Sequence, residues 1–409
     1  MRVERSVFSW ALYDWANSAF AVTVMAGFFP LFFKQYWASS LEATDSTFYL
    51  GLANAGASLV VAVLAPFLGA IADRGGLKKR LLLGFAAMGI ATTSGLYLVD
   101  QGAWGLAIAC YTVAIIGFSS ANVFYDALIL DVGHVGVLGR ISALGFSLGY
   151  LGGGLLFTVN VAMTLWPEAF GIADKAMAVR WSFLSVAVWW ALFSVPLWLF
   201  VREGPNAGDG SLRELVAAAI HRVGQTLTHL RGLRPVWVFL LAYWLYIDGV
   251  DTVIRMAVDY GLAIGLKSDD LIIALLTTQF VGFPAALVFG WVGDRVGARK
   301  GIYVGIAVYV CVCLLAYGMH SEREFYFLAV TIGLVQGGVQ ALSRSFFASL
   351  VPAGHSAEFF GFYNMLGKSA VILGPVVLGL ATMLSGDNRM GILAIIPFFV
   401  GGAWLLRRV

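Results

Sequence analysis

The amino-acid sequence predicts an all-α polytopic membrane protein, with twelve transmembrane helices arranged as two six-helix pseudo-repeats. Of its 409 residues, 60% are hydrophobic and only 12% are charged, about half the charged fraction of ordinary soluble domains. Windows of roughly 20 mostly apolar residues, the length that crosses a bilayer, recur along the whole chain. A similar charged turn follows the second and the eighth window. The ten-residue alternating pattern of a membrane β-barrel is absent.

Charged breaks between the apolar windows give the predicted spans and domains. The spans are 7–34, 47–72, 80–99, 103–125, 140–165, 180–201, 234–262, 269–293, 300–319, 325–343, 359–384 and 390–406. The first window is interpreted as a span and not as a cleaved signal peptide, because polar residues interrupt it. Residues 1–201 form the predicted N-terminal bundle and 234–409 the C-terminal bundle. The polar linker 202–233 carries an apolar stripe at helical spacing, which predicts a basic amphipathic helix on the cytoplasmic membrane surface. This helix is either a joint between the halves or a solvated helix that only tethers them.

The distribution of positive charge predicts the orientation of these spans. If the amino terminus lies in the cytoplasm, 18 of the 26 Lys and Arg residues fall on that side and 6 on the other. Loops rich in Lys and Arg stay in the cytoplasm. We therefore expect both termini to be cytoplasmic, in an integral multi-pass protein of a bacterial inner membrane.

Two charged turns share one pattern, "GAIADRGGLKKR" at 69–80 and "GWVGDRVGARKGI" at 290–302. The order Gly-x-x-x-Asp-Arg-x-Gly followed by cations resembles the loop signature of the major facilitator superfamily, although the first copy has altered spacing before its cations. The resemblance implies a cytoplasmic gate that forms in one conformation and breaks in another. Its predicted members are Gly69, Asp73, Arg74, Gly290, Asp294, Arg295 and Arg344. A topology anchor is the alternative for the turns, and snorkelling to the headgroups is the alternative for Arg344.

Three further stretches carry a closer resemblance. They are "YDWANSAF" at 13–20, "GGVQALSRS" at 337–345 and "FFGFYNMLGKSAVILGP" at 359–375. Together they are similar to a subfamily of these transporters that includes the yeast-type vacuolar effluxers, which return amino acids during autophagy. The resemblance covers essentially the full chain. It implies that spans one, four, seven and ten line a central cavity.

The seventh span has four charged residues in an apolar window: Asp248, Asp251, Arg255 and Asp259. At about 100° per residue they fall on one face of a helix. A charge at the centre of a membrane span costs about 2.5–3.5 kcal/mol on insertion scales, so such residues face a cavity or pair with each other. Asp248 is the first candidate for a proton carrier. A static ion-pair stripe that seals helix packing is the alternative.

Other spans add polar residues that could face the same cavity. Asp14 and Asn17 of the first span are three residues apart, as are Asp248 and Asp251 of the seventh span. Lys368 lies deep enough in its span to need a carboxylate partner, which could be Asp14, Asp248 or Asp251. An interhelical hydrogen bond is the alternative role for Asp14. The predicted proton-coupling group is Asp14, Asn17, Asp248, Asp251, Arg255 and Lys368. The predicted substrate group is Asn122, Asp126, Gln336, Gln340, Tyr246 and Asn364.

These patterns favour a secondary active transporter that moves a small polar or zwitterionic solute, preferably an amino acid, with protons as the coupling ion. There is no Gly-x-x-x-x-Gly-Lys-[Ser/Thr] loop for ATP. The five histidines all fall in or beside loops, so the sequence shows no buried cluster of histidine and carboxylate, and we expect no enzyme activity. The partners expected are a small-molecule solute, a proton or other coupling ion and the lipid bilayer, with no nucleic acid, cofactor or metal, in a monomer. The alternatives are a transporter of sugar, drug or lipid-like solute, and a non-transporting sensor or scaffold.

Overall fold

The computed structural model describes residues 4–204, 220–221, 223–226, 233–263, 268–319, 321–385 and 388–409. Those ranges contain helices and turns but no strand. Twelve long helices follow one another there, and they confirm the predicted fold class. They are α1 Arg5–Trp37, α2 Ala43–Gly75, α3 Lys78–Gly95, α4 Trp104–Ala127, α5 Leu138–Leu165, α6 Lys175–Phe200, α7 Arg234–Ala263, α8 Ser268–Val296, α9 Ala298–Tyr317, α10 Glu322–Leu350, α11 Ser356–Ser385 and α12 Arg389–Leu406.

Glycines set the helix ends in both charged turns. Gly76 follows α2 with φ +58°, and Gly297 precedes α9 with φ +95°. A residue with a β-carbon is strained in this region of the backbone map, whereas glycine is not. Each turn can therefore reverse the chain within one or two residues.

Apolar side chains cover the outside of the helices as well as the inside. Large hydrophobic residues such as Leu59, Leu192, Leu314 and Phe327 are at least 55% exposed. A surface of this kind is unfavourable in water and favourable in lipid. Eleven of the helices in the described ranges are long and apolar enough to cross a bilayer, and α11, at 30 residues, is long enough as well.

The end of the helix bundle at which α1 begins and α12 ends is called the terminal face below. Here α2 packs on α11, and α5 packs on α8. Glycines allow both approaches, since a β-carbon on Gly69 would overlap the carbonyl of Ala357, and one on Gly290 would overlap Ala143. These pairs join the first six helices to the last six.

The observed end of α10 differs from the predicted one. The sequence placed the end of this span at 343, just before Arg344, whereas α10 runs on to Leu350. The charge of Arg344 does not end the span because carboxylates from other helices neutralise it inside the bundle. The snorkelling alternative for Arg344 is therefore wrong, since this residue is only 2% exposed.

Candidate functional site

Arg344 of α10 is the centre of a buried charged cluster that joins the two halves. Its Nη1 donates to Asp126 Oδ1 of α4 at 3.1 Å and lies 3.6 Å from Asp14 Oδ2 of α1. Its Nε donates to the Ser142 hydroxyl at 2.8 Å, and its Nη2 donates to the Ser142 carbonyl at 2.9 Å. The guanidinium thus binds three helices of the first half. At about 1.5 Å per residue, it lies about 9 Å inside the terminal end of α10.

Aromatic rings enclose this guanidinium. Its central carbon is 4.3 Å from the ring centre of Phe146, 4.9 Å from that of Trp10 and 5.3 Å from that of Tyr125. The Tyr125 hydroxyl also donates to Asp14 Oδ2 at 3.1 Å. Ring faces attract cations, and more strongly where water is excluded. The rings therefore help to stabilise a charge that is almost completely removed from solvent.

A second contact between the halves begins at Asp126. The side-chain amide of Asn364 on α11 donates to Asp126 Oδ2 at 3.0 Å. One turn further along α11, Lys368 lies with its ammonium 5.8 Å from the Phe118 ring centre, and its positive charge acts on Asp126 through space. Asp126 thus interacts with two cations, with Arg344 through a hydrogen bond and with Lys368 at longer range.

Several of the predicted polar residues around this cluster are partly open. Asn122, Gln340, Asn364, Lys368 and Asp251 are all intermediate in exposure. Asn17, in contrast, is 2% exposed, and its amide donates to Asn122 Oδ1 at 2.6 Å. The helices that supply these side chains are α1, α4, α7, α10 and α11.

The structure separates Asp248 from the Arg344 cluster. Asp248 is 1% exposed and accepts from the backbone amide of Gly374 on α11 at 2.9 Å; Thr252 also donates to it, at 3.4 Å. Tyr246 is fully buried, with its hydroxyl 2.7 Å from that of Ser343. Both side chains therefore make contacts within the second half. The side chains of Arg255 and Asp259 lie outside the described residues.

An apolar cavity of about 490 Å³ lies within the second half. Gln279 and Gln336 are its amide-bearing lining residues, and most of the rest are aliphatic, such as Ile254, Leu275 and Ile332. Gln336 therefore lies at a different place from Asn364, although both were predicted for one substrate group. Among the described residues, no group of three or more His, Cys, Asp or Glu is arranged to hold a metal ion.

At the terminal face, Asp73 binds the first turn of α11. Its carboxylate accepts from the backbone amides of Ala357 at 3.0 Å and Glu358 at 2.9 Å, and from the Ser356 hydroxyl at 3.3 Å. This is an N-cap supplied by another helix, and negative charge is favourable at that end of a helix. Lys78 lies 3.6 Å from the same carboxylate, whereas Arg74 is exposed.

The second charged turn has a related contact. Asp294 at the end of α8 forms a 2.6 Å ion pair with Arg140 at the start of α5. Arg295 instead lies over the Trp291 ring at 3.8 Å. In both turns the predicted Asp contacts the other half, while the Arg beside it is exposed.

Lys78 joins the Asp73 contact to a wider network. Its ammonium donates to Asp131 at 2.9 Å, and Glu203 caps the start of α3 by accepting from the amides of Lys78 and Lys79. Burial raises the pKa of Glu203, and the two amides partly oppose that effect. The linker also takes part, because Thr226 donates to the buried Glu358 at 2.5 Å.

Sequence reasoning missed three of these partners, namely Ser142, Lys78 and Arg140. Arg140 and Lys78 were counted only as topology-setting charges, and Ser142 is one of many small residues in α5. For Lys78 the available signal was its position in the first charged turn, at the start of α3. For Arg140 the signal was weaker, namely a cation in the first turn of a helix. For Ser142 the sequence carried no distinguishing signal.

Comparison with known families agrees with this architecture. A model of the family described as "Vacuole effluxer Atg22 like" matches residues 40–132 and 133–409. The chain belongs to this family. The Atg22-like chain is 40% identical over 406 residues to the "Uncharacterized MFS-type transporter YxiO" of Bacillus subtilis, a match that covers 97% of this chain and 93% of the relative. It is 27% identical to autophagy-related protein 22-1 of Penicillium rubens over 61% of this chain, and it spans 45% of that longer protein.

Solved structures give the same fold for this Atg22-like protein. The human organic anion transporter MFSD10 (TETRAN) matches with a TM-score of 0.77 at 16% identity, covering 99% of this chain and 100% of the other. The proton:xylose symporter XylE matches with a TM-score of 0.70 at 13% identity, covering 99% and 94%. The fold is thus that of the major facilitator superfamily. The family match and the 40% identical relative make the protein a membrane transporter of that type, which confirms the resemblance found in the sequence.

Proposed function

We propose that this protein is a secondary active transporter for amino acids that couples solute movement to protons by alternating access. The observation that carries the proposal is the bridge from Arg344 to Asp14 and Asp126, because it joins the two halves through titratable groups. A bridge of this kind has to break if the halves are to separate on this side. Its charge state therefore affects which conformation is stable.

The charge balance of the bridge supports proton coupling. Two carboxylates face one guanidinium, and the same Nη1 serves both of them. A proton on either Asp14 or Asp126 removes one negative charge and weakens the attraction across the halves. Burial makes such charges expensive unless they are paired. Proton uptake and separation of the halves would then favour each other.

The surroundings of the bridge support a zwitterionic solute. A substrate ammonium group needs a carboxylate such as Asp14, and a substrate carboxylate needs a cation such as Lys368. Asp14 lies 3.6 Å from the guanidinium that also binds Asp126. Lys368 lies one turn along α11 from Asn364, whose amide donates to Asp126 at 3.0 Å. A sugar would require chiefly uncharged hydrogen-bonding groups.

We further propose that the structure represents the conformation closed at the terminal face, with that face in the cytoplasm. The Asp73 cap on α11 and the Asp294–Arg140 pair support this state, since both connect the two halves there. In the opposite conformation these contacts would break and water would reach the Arg344 cluster from the cytoplasm. Gate residues would then be Asp73 and Asp294, with Lys78 and Arg140 as their cations.

The test uses purified protein in liposomes. Counterflow of labelled amino acids measures exchange, and an imposed pH gradient measures proton-driven uptake. We expect wild-type protein to perform both. Asp126→Asn should keep exchange and lose gradient-driven uptake, because an amide can still accept a hydrogen bond from Arg344 but cannot take up a proton. Asp100→Asn is the matched control, since its side chain is 90% exposed.

The other outcomes separate the alternatives. Gradient-driven uptake with unchanged pH dependence in Asp126→Asn would remove the proton role from this residue, and the same assay on Asp248→Asn tests the first candidate from the sequence. Exchange of sugars or lipid-like solutes in place of amino acids would refute the substrate proposal. A sensor or scaffold would give no flux of any solute, and an enzyme would consume the label.

A further inference from the structure

The terminal face of the second half has a strongly basic surface that the transport site does not use. It is formed by Arg295, Arg299, Lys300, Arg407 and Arg408, all of them exposed. These residues are called the basic patch below. The nearby carboxylate of Asp294 is already paired with Arg140 at 2.6 Å. The patch is therefore an excess of positive charge at the edge of the membrane-spanning region.

A contact between α9 and α12 brings the two parts of the patch to the same depth. The Tyr303 hydroxyl donates to the Ala403 carbonyl at 3.1 Å. Arg299 lies one turn before Tyr303, and Arg407 lies one turn after Ala403 in a helix that runs the opposite way. Each is therefore displaced about 6 Å toward the terminal face. Arg299 and Lys300 thus lie level with Arg407 and Arg408.

Tryptophans mark this depth as the boundary between lipid and water. Arg295 lies 3.8 Å over the Trp291 ring, and Arg408 lies 3.7 Å over the Trp404 ring. These rings are 48% and 55% exposed, and tryptophan is enriched at the headgroup level of membranes. A guanidinium stacked on a ring keeps its N–H edges available, and such edges match the oxygens of a phosphate.

The start of α9 adds to the same positive region. Its N-cap residue, Gly297, has no side chain, and the backbone amide of Lys300 donates to the Gly297 carbonyl at 3.1 Å. The helix dipole places partial positive charge there. The cations of α9 and α12 therefore lie near a helix N-terminus that itself favours an anion.

We propose that α9 and α12 form a binding site for the headgroup of an anionic phospholipid at the terminal face of the second half. The phosphate would lie between Arg299 and Lys300 on one side and Arg407 and Arg408 on the other. Trp404 and Trp291 would contact the part of the acyl chains that lies next to the headgroup. The exposed rings favour a lipid over a free phosphate, because a soluble anion gains nothing from an apolar surface beside it.

The test measures thermal unfolding of the full-length protein in neutral detergent during titration with phosphatidylglycerol or phosphatidylcholine. We expect wild-type protein to gain stability from phosphatidylglycerol at lower concentrations than from phosphatidylcholine. Each Lys or Arg near an anionic membrane surface changes the affinity by about fivefold. Arg407→Gln with Arg408→Gln should therefore weaken the phosphatidylglycerol effect by about 25-fold, and Arg299→Gln with Lys300→Gln should do the same independently.

A matched control removes two exposed arginines at the terminal face elsewhere, by Arg202→Gln with Arg234→Gln. We expect this pair to keep the wild-type response. An equal loss in the control would overturn the site in favour of diffuse charge attraction. The proposal also fails if phosphatidylcholine stabilises the wild type as well as phosphatidylglycerol does, or if free glycerol 3-phosphate reproduces the full effect. Arg407→Lys with Arg408→Lys keeps the charges and should keep most of the response.

Discussion

The cap that Asp73 places on α11 makes a sharp prediction about local stability. Asp73→Ala removes the acceptor of two backbone amides, at Ala357 and Glu358, together with a charge at the start of the helix. Loss of an N-cap costs about 1 kcal/mol, and loss of a partly buried charge at a helix terminus costs up to about 2 kcal/mol more. The contact between α2 and α11 should therefore weaken by about 1 to 3 kcal/mol.

Hydrogen exchange followed by mass spectrometry measures this effect directly. The amides of Ala357 and Glu358 exchange only when the contact opens. A cost of about 1 to 3 kcal/mol corresponds to roughly 5- to 150-fold faster exchange in peptides that contain the first turn of α11. Asp73→Asn should give an intermediate value, because one acceptor oxygen remains while the charge is lost.

Asp100→Ala serves as the control, since its exposed carboxylate caps no helix of the other half. Exchange at the start of α11 should be unchanged in this variant. If Asp73→Ala protein showed the same exchange rate at the start of α11 as wild type, the cap would contribute nothing to the stability of this contact. The reasoning that connects α2 to α11 through Asp73 would then be refuted.

Two further predictions concern the same face. Arg140→Gln should lower the thermal unfolding temperature more than Arg295→Gln does, because only Arg140 forms the 2.6 Å pair with Asp294; equal effects would contradict this assignment. Gly69→Ala should destabilise the protein because the β-carbon of the new alanine would overlap the backbone of Ala357. Gly84→Ala should be neutral or stabilising, since the space around Gly84 is open and alanine favours the helix. A neutral Gly69→Ala would show that α2 and α11 can separate at little cost.

Some features of the site were accessible from the sequence because they depend on local rules. A charge within an apolar window must be paired or hydrated, so Asp14, Asp126 and Lys368 could be selected as candidates without coordinates. The repeated charged turn likewise indicated that Asp73 and Asp294 occupy equivalent positions. In each case the reason for selection was the residue's own position in the chain.

The partners of these charges could not be selected in the same way. The helical period put Asp248 on one face with Asp251, but the amide that binds Asp248 belongs to Gly374, 126 residues away. Arg344 was predicted as a gate residue, with snorkelling as the alternative, but the sequence indicated no partner for it, and three helices of the other half hold it inside. Sequence spacing describes neighbours on one helix, and it contains no information about which face of another helix lies opposite.

The sequence by itself determined the twelve spans, the two-fold repeat and the types of charge inside the membrane, because hydropathy and charge act residue by residue against lipid and water. Only the tertiary structure decided that Arg344 meets Asp14 and Asp126, that Asp73 caps α11, and that Lys78 and Arg140 are the cations of the two turns. Those pairings depend on helix packing, in which glycines such as Gly69 and Gly290 set the approach of two helices distant in the chain. Such contacts stabilise the protein only in the assembled bundle, because they require two helices to be packed against each other.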